Sequence, residues 1–334
     1  MPRRSRIDAY GALHHVIARG IAREKIFFDD KDRDQFLQRL GSILKESNTP
    51  CLAWALIPNH FHLLLKTGHI PLSTVMRRLL TGYAVSFNKR HRRWGHLFQN
   101  RYKSILCQED AYLLELTRYI HLNPMRAGLV KGIQELERNP YCGHGVILAK
   151  WKNDWQDIGS VLELFSGNRS AARSRYRKFV QKGVEQGKRP ELTGGGLVRS
   201  VGGWAALQKL KKERIYVKGD ERILGDGDFV LEALKQSEEY LERKYRVRSQ
   251  GYDLEKIRDR VSTVLGIERD KAFSSGKNRL TVRARSLLSY WAVRECGMSM
   301  ASLARRLGLS NTAISQSVTR GERIAKESGF ALLQ

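Results

Sequence analysis

Two histidines separated by one residue are the first feature of the sequence that could do chemistry. His60-Phe61-His62 begins a run of apolar residues, directly after the turn-forming pair Pro58-Asn59. Residues two apart on a strand point to the same face, about 7 Å apart along the backbone, so both imidazoles can reach one ion. The spacing alone is a weak signal, because two neighbouring histidines are more often structural.

A tyrosine and an asparagine form the second feature. Tyr119 and Asn123 are four residues apart on a predicted helix that begins at Asp110 and that Pro124 terminates, so the phenol and the carboxamide project from one side. Two imidazoles and an amide oxygen suit Mg²⁺ or Mn²⁺ bound to a phosphate better than a closed zinc site. The phenol could then attack phosphorus and be carried as a phosphotyrosine. A core tyrosine and a helix-capping asparagine are the alternative.

The elements that would position these residues follow the order β-α-β-β-α-β-α. Asp30 or Asp32 can cap the first helix. This order favours an α+β domain with an antiparallel sheet and helices on one face, close to a ferredoxin-like or RRM-like plan. The predicted strands are 13–19, 51–57, 60–67 and 96–107, and the later predicted helices begin at about residues 73 and 110.

The charge balance indicates a polyanionic partner. The 334 residues include 60 Lys and Arg against 34 Asp and Glu, a formal net charge of +26, and no carboxylate occurs between Glu46 and Glu109. Nucleic acid is the first-choice partner, because each neutralised phosphate releases counterions. A solvating basic surface is the alternative. Arg101 and Lys103, two apart on a predicted strand, are candidate phosphate contacts.

Three other classes of protein are disfavoured. No apolar run approaches the roughly 18 residues that a membrane-spanning helix needs. The basic start of the chain leads into no apolar signal core, so we expect a cytoplasmic, nucleoid-associated protein without membrane contact. The four cysteines form no C-x-x-C pair, which argues against a zinc site or a disulfide framework. They are Cys51, Cys107, Cys142 and Cys296.

Three blocks of sequence carry a family resemblance. They are LIPNHFHLL at 56–64, GHLFQNRYKS at 95–104 and RYIHLNPMRAGLV at 118–130. Residues 8–145 thereby resemble the REP-associated tyrosine transposases, single-tyrosine members of the HUH endonuclease class. The resemblance implies an RRM-like core that nicks single-stranded DNA at palindromic extragenic repeats folded into hairpins. It also implies that His60 and His62 are the HUH pair, that Tyr119 is the nucleophile and that Asn123 is the third ligand. Arg118, beside the nucleophile, is a further predicted DNA contact.

Other residues of the right type rank lower. Tyr83 and Tyr102 are alternative nucleophiles, but each is followed four residues later by an apolar residue instead of a possible ligand. His14 and His15, earlier in the chain, are more typical of structural histidines than of metal ligands.

The C-terminal part has its own pattern. Residues 299–320 predict a helix, a turn at Gly308, a cap at Ser310 and a second helix over about 311–319, which is a helix-turn-helix. A small helical core with a solvated face is the alternative. Residues 253–325 resemble the C-terminal DNA-binding domain of the bacterial replication initiator, but the turn lacks the charged run of that family. The predicted DNA-contacting side chains are Asn311, Thr312, Ser315, Gln316 and Thr319.

These patterns combine into one hypothesis and one alternative. We predict a catalytic domain over 1–150, a helical and Gly-rich connector over 151–227, and a helical DNA-binding domain over 228–334. The predicted function is a metal-dependent, site-specific single-strand DNA endonuclease and strand transferase that forms a 5′-phosphotyrosine. Its partners would be hairpin DNA and, through the C-terminal domain, duplex DNA, with the protein a monomer or a homodimer. The alternative is a repeat-binding protein or transcriptional regulator without catalysis.

Overall fold

The computed structural model divides the chain into two compact units, Met1–Leu234 and Lys235–Gln334. Each unit is described by itself. The residues described are 11–68, 70–187, 189, 192, 220, 222–226, 228–237, 247, 250–268 and 278–333.

The N-terminal unit is built on a five-stranded sheet. Its strands are β1 (Leu13–Arg19), β2 (Cys51–Ile57), β3 (His60–Lys66), β4 (Lys103–Cys107) and β5 (Ile223–Leu224). The order is β2-β3-β1-β4-β5, and the first four strands are antiparallel in the ferredoxin-like arrangement. The predicted α+β class is confirmed. The sheet is nevertheless mixed and not wholly antiparallel, because β5, from far along the chain, pairs parallel to β4.

Helices cover both faces of this sheet, so the predicted single helical face is wrong. On one face lie α1 (Asp30–Ser47) and α2 (Leu72–His91), where the rings of Phe36 and Phe61 are 4.8 Å apart. On the other lies α3 (Glu109–His121), which packs across β1, β2 and β3. The reason is already present in β2, whose seven residues are all buried and apolar, a pattern typical of strands covered on both faces.

Strand β4 is shorter than predicted, beginning at Lys103 and not at residue 96. Before it, the chain is held to β1 by separate hydrogen bonds, from Gln99 N to Arg19 O (2.9 Å) and from Ile21 N to Leu97 O (3.0 Å). The ladder ends at Ile17 and Lys103 and the two segments pair again at Gly20 and Phe98, so four residues, 99–102, lie against only two of β1 and interrupt the regular pairing.

Two helix boundaries also differ from prediction. Helix α1 is capped by Asp29, whose carboxylate accepts from Asp32 N at 3.0 Å, so neither Asp30 nor Asp32 is the cap. Pro124 does not terminate the helix of Tyr119: α3 ends earlier, and Pro124 lies in the first turn of α4 (Asn123–Arg126). A proline costs little there, because first-turn N–H groups have no partner within the helix.

The rest of the N-terminal unit is helical in its described part. Buried side chains of α7 (Gly159–Glu163) and α8 (Arg169–Lys182), including Val161, Tyr176 and Val180, share a core with Leu116 and Ile120 of α3. The glycines of the predicted connector at 194–196 and 202–203 lie outside the described residues. The helices are α5 (Ile133–Arg138), α6 (Gly143–Ile147), α7 (Gly159–Glu163), α8 (Arg169–Lys182) and α9 (228–237), the last of which runs three residues past Leu234.

In the described part of the C-terminal unit, every regular element is a helix. Its core includes Trp291, Leu303 and Ile314. Helices α11 (Arg279–Tyr290) and α13 (Asn311–Ser328) pack closely at Gly321, where a Cβ atom would lie 1.9 Å from Ser286 O. Across the described residues of the whole chain, no helix is both long and apolar enough to span a membrane. The helices are α10 (Leu254–Leu265), α11 (Arg279–Tyr290), α12 (Met300–Leu307) and α13 (Asn311–Ser328).

Candidate active site on the sheet

The two histidines of β3 lie on the sheet face that α3 covers. Residue pairs directly opposite in an antiparallel ladder share a face, and His62 is opposite Ile17 while His60 is opposite Arg19. The imidazole centroids of His60 and His62 are 5.0 Å apart. From α3, the ring of Tyr119 meets the ring of His62 edge-on, with centroids 6.0 Å apart. Tyr119, distant in the sequence from both histidines, thus lies beside them.

Burial keeps both histidines neutral. His62 is 4% exposed, and desolvation, helped by nearby His15, His60 and Arg19, holds its pKa well below the usual value. His60 is half-buried, and burial together with the positive charge of Arg19 lowers its pKa to about 4. A neutral imidazole is the form that binds a metal ion.

The position of the proton on His60 is set by Asn59. Asn59 Oδ1 lies 2.6 Å from His60 Nδ1, and the orientation of the amide is fixed because Asn59 Nδ2 donates to Arg23 O at 3.2 Å. An amide oxygen can only accept, so Nδ1 of His60 carries the proton and Nε2 keeps its lone pair. The sequence identified Asn59 only as a turn residue, although its place beside a histidine is a signal of this contact.

A third histidine, His15, belongs to the same cluster. It is fully buried, its Nε2 lies 2.9 Å from His62 Nδ1, and the two rings stack with centroids 5.2 Å apart. Tyr119 meets the His15 ring edge-on at 6.0 Å. Its neighbour His14 points to the opposite face and hydrogen-bonds Ser104 Oγ at 3.0 Å. Sequence reasoning grouped the two histidines together, since only the register reveals which one faces α3.

Asn123 caps the end of the tyrosine helix. Its side chain is 8% exposed, and Nδ2 donates to the main-chain carbonyls of Tyr119 (3.1 Å) and Ile120 (3.4 Å). The amide oxygen is therefore the atom of this side chain that could bind an ion. With His60 and His62 it would offer a divalent ion two nitrogen donors and one oxygen donor. No cluster of three His, Cys, Asp or Glu suited to a metal occurs in the described part of the chain.

Arg126 holds the tyrosine from the other side. Its guanidinium carbon is 5.0 Å from the centroid of the Tyr119 ring, and Nη1 donates to Tyr119 O at 3.3 Å. This cation–π contact and hydrogen bond restrict the ring to its position beside the histidines. Arg126 lies in the third motif block, but its distance of seven residues from the tyrosine gave no sequence signal for the contact.

The three predicted cations of this unit have different surroundings. Arg118 is 7% exposed, bonds both carboxylate oxygens of Glu115 (2.7 and 2.6 Å) and lies 4.2 Å from the Phe179 ring. These contacts join α3 to α8. Arg101 and Lys103 are exposed. Lys103 is opposite Ile17 in the ladder, which puts it on the same sheet face as His62, but Arg101 precedes the strand.

The alternative nucleophiles lie elsewhere. Tyr83 is 1% exposed within the aromatic core between α1, α2 and the sheet, and its hydroxyl donates to Ile26 O at 2.6 Å. Burial raises its pKa far above the usual value. Tyr102 is 6% exposed. Tyr119 is half-buried and contacts the histidines, which makes it the best placed of the three for chemistry.

In the C-terminal unit, α12 and α13 are joined by a tight turn. Gly308 adopts φ +65°, which favours glycine, and Ser310 Oγ accepts from Ala313 N at 3.1 Å. The second helix extends to Ser328, beyond the predicted residue 319. Three candidate DNA contacts are exposed and two are half-buried: Asn311, Thr312 and Gln316, then Ser315 and Thr319.

Comparison with known proteins agrees with the motifs. Residues 8–123, about a third of the chain, match the family model of IS200-like transposases. The resemblance drawn from the motif blocks is thereby confirmed for this segment. A solved structure of a REP-associated tyrosine transposase bound to a REP hairpin is 16% identical, covers 48% of this chain and 96% of its own, and superposes with a TM-score of 0.37. No curated protein matches the sequence.

Proposed function

We propose, from the match of residues 8–123 to IS200-like transposases, that this protein cuts and rejoins single-stranded DNA at hairpin-forming repeats, with Tyr119 as the nucleophile. One observation carries the proposal. The phenol ring of Tyr119 lies 6.0 Å from the ring of His62, on the face of the sheet that also holds His60. A nucleophile beside a pair of neutral imidazoles is the arrangement that metal-assisted phosphoryl transfer needs.

The chemistry assigns one role to each side chain. His60 and His62, through Nε2, and Asn123, through its amide oxygen, would hold Mg²⁺ or Mn²⁺, which supplies polarisation of the phosphate when bound. The oxygen of Tyr119 attacks phosphorus and its proton leaves to water. The bond from phosphorus to the 3′ oxygen breaks, and that oxygen takes a proton. The upstream strand then ends in a free 3′ hydroxyl, and the 5′ end of the downstream strand stays bonded to Tyr119.

Positive side chains around the site would hold the DNA. Lys103 is exposed on the histidine face of the sheet and Arg101 is exposed just before the strand. Both fit contacts to phosphates, which position a strand without reading its sequence. Arg118 is a weaker candidate, because Glu115 already neutralises it.

The C-terminal unit supports duplex binding as a second element of the proposal. Exposed polar side chains at the start of α13 follow a tight turn after α12, as in a helix-turn-helix whose second helix enters a major groove. Asn311, Thr312, Ser315 and Gln316 would then contact base edges or phosphates. The same feature favours the alternative function, a repeat-binding regulator that does not cut DNA.

A nicking assay decides between catalysis and binding alone. The protein is incubated with a single-stranded hairpin oligonucleotide and Mg²⁺ or Mn²⁺, and we expect an adduct that survives denaturing electrophoresis. Tyr119→Phe keeps the ring and should lose the adduct while it retains DNA binding. Tyr102→Phe is the matched control and should keep the adduct. A phosphopeptide at Tyr83 or Tyr102, or turnover without any adduct, would contradict the proposal.

The role of the C-terminal unit has a separate test. A chain ending at Leu234 should bind a hairpin with a duplex stem more weakly, and its affinity should depend less steeply on salt, because fewer phosphates are neutralised. The combined Thr312→Ala and Gln316→Ala variant of the full chain should also weaken duplex binding. An unchanged salt slope in the shortened chain, together with unchanged duplex affinity in the double variant, would indicate a structural or protein-binding role for this unit.

A further inference from the structure

His15 is a buried polar side chain in a mostly apolar setting. It is fully buried on β1, and its direct neighbours across the sheet are Leu64 on β3 and Ile105 on β4. Burying an imidazole here costs free energy that an apolar residue would not cost, unless the ring makes a compensating hydrogen bond. One such hydrogen bond of His15 is the 2.9 Å contact between its Nε2 and His62 Nδ1.

The proton of this hydrogen bond can belong to either histidine, to Nδ1 of His62 or to Nε2 of His15. In the first arrangement, His62 Nδ1–H donates to His15 Nε2, and His62 Nε2 keeps a lone pair. In the second, His15 Nε2–H donates to His62 Nδ1, and the proton of His62 then lies on Nε2, where it blocks an ion. Only the first arrangement matches the tautomer that Asn59 imposes on His60, which also leaves Nε2 as the binding atom.

We propose that His15 is a positioning residue whose Nε2 accepts the Nδ1 proton of His62 and so holds His62 in the tautomer that binds the metal ion through Nε2. The inference rests on the proposed function. It assigns to His15 the part that a carboxylate or carbonyl usually has behind a metal-binding histidine, fixing both the tautomer and the ring orientation. The His15 and His62 rings stack with a 24° angle between their planes, which supports the role of His15 in fixing the orientation of the His62 ring.

The same residue also borders the nucleophile. The centroids of the His15 and His62 rings each lie 6.0 Å from the centroid of the Tyr119 ring, so the three side chains form one packed group. A change of the His62 ring orientation would therefore also alter the surface against which Tyr119 packs. His14, equally buried on the same strand, has no part in this group, because its hydrogen bond is to Ser104 on the opposite face.

Two variants of His15 test whether its role is to accept a hydrogen bond or only to fill space. In His15→Gln the side-chain oxygen can replace Nε2 as acceptor, whereas His15→Leu fills the space without one. His14→Leu is the matched control, since it removes a buried histidine that does not face the site. The protein is labelled with ¹⁵N-histidine, and long-range ¹H–¹⁵N spectra report the tautomer of His62 without metal. Mn²⁺ titration by calorimetry then gives the dissociation constant.

The expected results are specific. In the metal-free wild-type protein His62 should carry its proton on Nδ1. His15→Leu should raise the Mn²⁺ dissociation constant by about 10- to 100-fold, the usual effect of losing such a partner. His15→Gln and His14→Leu should stay close to wild type.

Three results would overturn the inference. They are a wild-type His62 protonated on Nε2, an unchanged Mn²⁺ affinity in His15→Leu, and a Gln variant as weak as the Leu variant. The spectrum of the wild-type protein keeps the inference testable even if His15→Leu fails to fold. Absence of both Mn²⁺ binding and nicking in the wild-type protein would instead reject the proposed function, so the two failures are distinguishable.

Discussion

Two clusters at α3 contain the same residue types and differ in access. The histidine site contains His15, His60, His62 and Tyr119. The buried tyrosine cluster contains Tyr176 of α8, His121 of α3 and His144 of α6. Tyr119 and His121 are two residues apart on the same helix and point into different surroundings.

The buried tyrosine cluster is closed. All three of its side chains are fully buried, and Nδ1 of each histidine lies 2.7 Å from Tyr176 Oη. A hydroxyl has one proton, so one imidazole accepts from it and the other must donate to it. Burial raises the pKa of Tyr176 above its usual value, and lowers the pKa of His144 to about 3 with the help of Arg177. The cluster is a network of hydrogen bonds between neutral side chains that joins three helices.

The histidine site is open where the other is closed. Tyr119 and His60 are both half-buried, so a substrate can reach the phenol and one imidazole. The contacts between Tyr119 and the imidazoles of His15 and His62 are edge-on ring contacts. A similar set of histidines and a tyrosine can therefore stabilise a fold or face a substrate, and the difference lies in burial and not in residue type.

The largest expected effect is a loss of cleavage when a histidine of the histidine site is replaced. His60→Ala and His62→Ala should each abolish cleavage, because each removes one of the imidazoles proposed to bind the ion. Hairpin affinity should remain, since phosphate contacts supply most of it. A gel-based nicking assay with parallel binding curves measures both. His96→Ala, at an exposed histidine outside the cluster, is the control. Robust cleavage by both site variants in EDTA would contradict the metal role.

The opposite behaviour is expected of the buried tyrosine cluster. Tyr176→Phe should lower the free energy of unfolding by about 2–5 kcal/mol, because two buried imidazole nitrogens lose their partner. Cleavage per folded molecule should stay near that of the wild-type protein. Urea unfolding measures the loss of stability, and a nicking assay well below the melting temperature measures the cleavage activity. A stable Tyr176→Phe protein that no longer cleaves would remove the distinction between the clusters.

The stability of the buried tyrosine cluster should depend on pH. The pKa of His144 is about 3 in the folded protein against an ordinary 6.5, so between these values the unfolded chain binds more protons. The stabilisation is complete above pH 6.5 and is lost as the pH falls towards 3. Below about pH 5.5, His144→Gln should reduce the pH dependence of the unfolding free energy by about 1.4 kcal/mol per pH unit. Equal slopes for both proteins in urea unfolding at several pH values would show that His144 is not buried in its neutral form.

A smaller effect, on the salt dependence of DNA binding, should distinguish Lys103 from Arg118. Lys103→Met should reduce the salt slope of hairpin binding by about one, as expected for one lost phosphate contact. Arg118→Met should leave the slope unchanged and lower the stability instead, because Arg118 is held by Glu115 and Phe179. Binding constants at several salt concentrations, with thermal melting, measure both. A reduced slope for Arg118→Met would restore that residue as a DNA contact.

Much of the local structure follows from the sequence. Strands β1 and β2 have their predicted bounds and β3 ends one residue early, because alternating or continuous apolar residues between turn signals are a local property. The period-two spacing of His60 and His62 puts both on one face regardless of what lies above them. The longer strand predicted before β4 fails, because residues 99–102 interrupt the ladder between the pairs Ile17/Lys103 and Gly20/Phe98, and such an irregularity has no local signal in the sequence.

Tertiary structure alone decided the content of the site. Nothing local distinguishes His14 from His15, and their roles differ because adjacent strand residues face opposite sides and α3 covers only one side. The sequence likewise cannot reveal that Arg118 is buried against α8, since its partner Phe179 lies sixty-one residues further along the chain. The sequence thus determines which residues can do chemistry and their local spacing. The packing of α3 on the sheet determines which of them meet and which remain accessible, because burial and hydrogen-bond partners come from segments distant in the chain.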